Sequence, residues 1–152
     1  MTVCNAMRVY MAVLSIIAAA GCTAEKDRLD EEVRRLCALD GGVKVYEQVA
    51  LTKDLLDNDG RPRIPHEKEA KATDPYFYRW RTEYIRKGNP EMRRDHFTVI
   101  RRSDGKILGE SISYARRGGD LPGPWHPSSY RCPKDASVFN AVFPTSSQQV
   151  SR

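Results

Sequence analysis

The chain has 152 residues, with 25 Lys and Arg against 20 Asp and Glu and a formal net charge of +5 at pH 7. That length supports one domain around one core and leaves too little for two. A mildly basic balance with both signs interspersed reads first as ordinary solubility, and second as affinity for anionic headgroups, cell-wall polymers or an acidic partner.

The first 21 residues carry a single charge, Arg8, followed by an uncharged stretch from Val9 to Ala24 whose apolar core is Val9 to Ala20. This is signal-peptide anatomy. As a helix the uncharged stretch would span roughly 24 Å, short of the ~30 Å hydrocarbon core, so a permanent transmembrane helix is the weaker reading. Either Met1 or Met7 can serve as the start, because Met7-Arg8 would place a positive end directly before the apolar run. The run Ala19-Ala20-Gly21-Cys22 resembles the lipobox at which bacterial signal peptidase II cuts before a lipid-modified cysteine. It departs from that pattern at Ala19, where leucine is usual, and ordinary secretion is the alternative. The resemblance implies that residues 1–21 are removed and that Cys22 is acylated, with palmitate-type chains anchoring the protein in the bilayer. Each buried methylene contributes about 0.8 kcal/mol, so two or three chains hold firmly where one holds marginally. Thr23, in place of the aspartate of an inner-membrane retention signal, points to the outer membrane, facing the periplasm. Nucleic acid is not expected as a partner there.

Cleavage before Cys22 would leave 131 residues (152 minus 21), and the loss of Arg8 would reduce the net charge to +4. Beyond the cysteine, Ala24 to Asp40 places Leu29, Val33, Leu36 and Cys37 at helical spacing, and Gly41-Gly42 supplies a stop. The stripe is narrow, which suits a helix lying on a sheet. Val43 to Leu51 alternates, with Val43, Val45, Val49 and Leu51 on one face, and predicts a strand. Thr52 to Pro75 predicts a long exposed connection with at most one helical turn. Its Asp57-Asn58-Asp59-Gly60 is a polar turn rather than a calcium loop, because Leu55 and His66 stand where that loop needs carboxylates. Tyr76 to Lys87 predicts a long strand with Tyr76, Tyr78, Trp80, Thr82 and Tyr84 toward the core.

Phe97 to Arg102 and Ile107 to Tyr114 flank Asp104-Gly105, a two-residue hairpin signal. With that loop, Ser103 faces Lys106, Val99 faces Glu110, and Phe97, Val99, Leu108, Ile112 and Tyr114 share a face. Gly118 to Cys132 is irregular and proline-rich, and residues 144–152 form a polar tail. If Cys4 leaves with the signal and Cys22 is acylated, Cys37 and Cys132 remain alone in an oxidising compartment and are expected to be bridged. Closing a loop of roughly 100 residues is worth up to about 4.7 kcal/mol in the chain-entropy account. With no C-x-x-C pair, and His66, His96 and His126 far apart, neither a metal nor another cofactor is expected.

Two constellations carry candidate chemistry. Arg116 and Arg117, with Trp125 and His126 on a proline-stiffened loop, combine guanidiniums, a flat apolar platform and an imidazole, and suit a binding surface for a protein, a glycan or an anionic headgroup. The bland reading is a loop that merely crosses the sheet. Glu47 and Glu110, each interrupting an apolar strand face, or else His126, would serve an envelope hydrolase acting on cell-wall or lipid material. Arg101, diagonal to Glu110 in the assumed register, offers the carboxylate a purely structural partner.

The runs Leu36-Cys37 through Glu47, Arg86 through Pro90, Gly109 through Tyr114 and Pro122 through Pro127 resemble a group of small bacterial lipoproteins of uncharacterised role. That resemblance implies the class and brings no activity or site residues. The expected protein is a signal peptide at 1–21, a single α+β domain at 22–143 tethered at Cys22, and a tail. Its domain packs an N-terminal amphipathic helix on a mainly antiparallel sheet of four or five strands. It is more a binding or structural module than an enzyme.

Overall fold

A computed structural model describes residues 25–120, 126–134 and 137–144. The lipobox, Cys22, Trp125 and all but the first residue of the expected tail lie outside them. No helix among the described residues is long and apolar enough to cross a membrane.

Helix α1 (residues 25–40) is followed by strands β1 (Gly42–Val45), β2 (Tyr76–Arg86), β3 (Glu91–Arg101), β4 (Ile107–Arg117) and β5 (Ser129–Cys132), and by a short helix α2 (Val138–Val142). The strands form one antiparallel sheet in the order β1-β4-β3-β2. β5 also pairs with β4, so β1 and β5 share one edge of that strand end to end, β1 at Gly109 to Ile112 and β5 at Tyr114 to Arg117. The fold is α+β, a helix on a mainly antiparallel sheet.

α1 forms because its apolar residues recur every three or four positions and meet one sheet face. Leu29, Val33 and Cys37 are buried against Met92, Ile112 and Tyr114, and Cys37 is bridged to Cys132 with the two Cα atoms 5.9 Å apart. The helix stops where the Gly41 N–H donates to the Cys37 carbonyl at 2.8 Å and Gly42 takes a φ of 120°. On the opposite face Val138, Val142 and Phe143 cover Val99 and Leu108, with Val49, Leu51, Ile64 and Tyr76 packed around them. A sheet apolar on both faces needs both covers.

Two expectations are corrected. The strand predicted to run to Leu51 ends at Val45, because the N–H groups of Tyr46 and Glu47 both donate to the Leu108 carbonyl, at 2.8 and 3.0 Å, and turn the chain under the sheet. Val49 and Leu51 then join the α2 core while Val43 and Val45 stay partly exposed. The β3–β4 hairpin exists, but its connection is the four residues Arg102 to Gly105, closed by Arg101 N–H to the Lys106 carbonyl at 2.9 Å. A bulge then sets Val99 opposite Gly109 and Ile100 opposite Ile107. The register slip sends Phe97, Val99 and Leu108 to the α2 face and Ile112 and Tyr114 to the α1 face, because side chains alternate along a strand.

Candidate functional site

The last two arginines of β4 project to opposite faces. Arg116 turns toward α1 and is 2% exposed. Its Nε and Nη2 donate to the Asp30 carboxylate at 2.6 and 3.1 Å, and its Nη1 donates to the carbonyls of Gly118 and Ser128 and to Ser128 Oγ at 2.6, 3.2 and 3.0 Å. A buried guanidinium needs such partners. This corrects its expected place in a ligand grip, since its donors are spent inside the protein.

Arg117 faces away from α1, opposite Glu91 and Ser129, and is exposed. With Gly88, Asn89, Glu91, Gly118 and Pro127 it lines a recess of about 210 Å³. One wall is built by close backbone approach: Gly118 has φ +85°, and a Cβ there would stand 2.1 Å from Asn89 Oδ1. That same oxygen accepts from the Gly119 N–H at 2.8 Å, tying the β2–β3 turn to the loop after β4. The loop's far end is held by Asp120, which accepts from the Ser128 N–H at 2.6 Å and from Lys26 Nζ at 3.0 Å. Hydrogen bonds from the Ser128 hydroxyl and N–H, with Lys26 beside them, hold the Asp120 carboxyl down at about 2. His126 is exposed at this loop's exit.

The two glutamates lie in separate networks. Glu47 accepts from Lys106 Nζ at 2.7 Å and Arg101 Nη1 at 2.5 Å, and the lysine and arginine together lower its pKa. Glu110 stands opposite Thr98 on the α1 side, where it accepts from the Tyr46 hydroxyl at 2.5 Å and meets His96 Nε2 at 2.7 Å. The Tyr46 hydrogen bond, against the opposing effect of burial and with help from His96, lowers its pKa. The expected Arg101–Glu110 pair is therefore replaced by Arg101–Glu47, a consequence of the bulge. Among the described residues the two carboxylates share no partner: Glu47 is held by cations, and Glu110 by a phenol and an imidazole.

A third network was not anticipated from sequence. Asp95 of β3, 1% exposed, accepts from Thr82 Oγ1 at 2.7 Å, Arg93 Nε at 3.2 Å and Arg131 Nη2 at 3.3 Å. It lies on the same face as Arg117. The signal for it was the alternation Glu91-Arg93-Asp95, which the charges disguised as loop. Among the described residues no cluster of three or more His, Cys, Asp or Glu side chains is placed to hold a metal ion.

Comparison with family models, with curated proteins and with solved structures finds no match for this chain. The resemblance to small bacterial lipoproteins accordingly rests on the residues quoted for it.

Proposed function

We propose that the protein is an envelope lipoprotein, tethered to the outer membrane through acylated Cys22, whose water-facing domain binds an anionic group at the recess beside Arg117. The observation that carries the binding half of this reading is the position of Arg117: exposed, in no ion pair among the described residues, at the rim of a recess whose walls are fixed by Gly118 and Asn89. A guanidinium held at a rigid rim loses little freedom on binding a carboxylate or phosphate. Trp125 and His126 follow it by eight and nine residues in the chain. The tether half is supported by the apolar segment before Cys22, and an exported setting is in keeping with the Cys37–Cys132 bridge.

The hydrolase reading has less to stand on, because Glu47 is neutralised by two cations and Glu110 is engaged by a phenol and an imidazole. Two substitutions test the two halves. Cys22→Ala should move the protein from the membrane to the soluble fraction, whereas retention in the membrane would restore the uncleaved-helix alternative. Arg117→Ala and Trp125→Ala should abolish crosslinking to an envelope partner with the fold intact, and undiminished crosslinking would remove this loop as the site.

A further inference from the structure

Among the described residues, α2 packs over only the Val99 and Leu108 end of the sheet face that carries Arg117. Toward its other end the register sets Tyr84, Arg93, Ala115 and Arg131 in one row across β2, β3, β4 and β5. Arg117 follows two residues beyond Ala115 on the same face. Three guanidiniums therefore surround one alanine. Arg93 and Arg131 are oriented by the buried Asp95 between them, yet the Arg131 side chain is 44% exposed. Further along β2 stands Trp80, 50% exposed, with Tyr84 at 47%. Phe97 stacks on the Trp80 indole at 9° and 5.3 Å, so the exposed half of Trp80 is its other face and its rim.

Three guanidiniums against the carboxylates of Asp95 and Glu91 leave one net positive charge. That favours an anionic ligand over a neutral one. Trp80 and Tyr84 lie four residues apart on one strand, about 14 Å, too far for a single sugar or phosphate to touch both. Aromatic rings along β2 that lead to a row of arginines across the sheet fit a chain of pyranose rings bearing carboxylates: the rings' C–H faces lie on Trp80 and Tyr84, and a carboxylate meets Arg131 and Arg117, while Arg93 is engaged by Asp95 and Glu91. We infer that this half-face is a binding site for an acidic oligosaccharide of the uronic acid type, with Arg117 at one end and Trp80 at the other. The inference deepens the binding function proposed above and rests on Arg117 being a ligand contact.

The test is calorimetric titration of the detergent-solubilised full chain with a galacturonic acid oligomer, with maltohexaose as the neutral control and phosphatidylglycerol-containing phosphatidylcholine vesicles as the lipid control. The uronate oligomer should bind and the neutral sugar should bind at least about tenfold more weakly. Arg131→Ala and Trp80→Ala should each weaken uronate binding by roughly tenfold when titrated well below their melting transitions, which loss of the Asp95 pair and of the Phe97 stack will lower. Arg131→Lys should recover part of the binding. No uronate binding, binding to the vesicles alone, or full affinity in Trp80→Ala would overturn the inference. If the uronate fails while Arg117→Ala still abolishes envelope crosslinking, the site remains and only the glycan assignment falls.

Discussion

At 2% exposure the Arg116 guanidinium has no water to fall back on, whereas its partner Asp30 is 17% exposed and lies nearer the surface. The two halves of this pair should therefore respond unequally to substitution. Asp30→Ala leaves a buried cation with only carbonyl and hydroxyl partners and should cost about 3–5 kcal/mol, the usual penalty for breaking a buried pair from one side. Arg116→Met removes the deep charge, fills its space, and leaves a carboxylate that can reach solvent, so its cost should be smaller. Urea unfolding of both variants reads the difference, and an Arg116→Met cost equal to or above that of Asp30→Ala would contradict it. The contrast with Arg117, one residue on, follows from the alternation of a strand.

β4 is the strand on which β1, β3 and β5 pair, and Gly109 is where α2 comes close to it. A Cβ there would stand 2.5 Å from Val142 Cγ2, 3.0 Å from the Lys44 carbonyl and 3.3 Å from Val138 Cγ2. Gly109→Ala should force α2 away from the sheet at about 1–3 kcal/mol, the range for overpacking. Val142→Ala in the same background should recover part of that loss, and a purely additive double mutant, read by thermal unfolding, would show that the contact is not the cause. The same strand marks where the sequence could be read and where it could not. α1, β2 and the existence of the hairpin follow from periodicity in Leu29, Val33 and Cys37, in Tyr76 and Tyr78, and around Asp104-Gly105, but Trp80, Thr82 and Tyr84, expected toward the core, are exposed because α2 packs only over the other end of that face. The register does not follow from periodicity, because a bulge beside Gly109 is a packing decision made by Val138 and Val142, far downstream in the chain. β3 begins at Glu91 and not at Phe97, since Arg93 pairs with Glu91 and Asp95 along the strand, Asp95 with Arg131 of β5 and Arg94 with Asp40 of α1, and a pattern of apolar residues cannot show a partner. Arg117, beside the recess proposed as a site, is a candidate that the sequence alone singles out. Its fellow arginines on β3 and β5 are not, because only the register puts them beside it.

For the molecule as a whole, the Cys37–Cys132 bridge joins α1 to β5, and β1 and β5 meet on one edge of β4. Everything from residue 37 to residue 132 is thus a closed covalent ring, and the exposed turn at Asp57 to Arg63 lies inside it. Trypsin acting at Arg63, the Arg61–Pro62 bond being resistant to it, cuts a ring and not a string. The nicked protein should migrate as one species on a non-reducing gel and separate into two only after thiol treatment. Two fragments without reductant would mean that the bridge is not closed in the protein as isolated. A domain built this way can lose a peptide bond in its longest loop and still present Arg93, Arg117 and Arg131 on one surface, which makes it suited to a compartment where proteases are part of the surroundings.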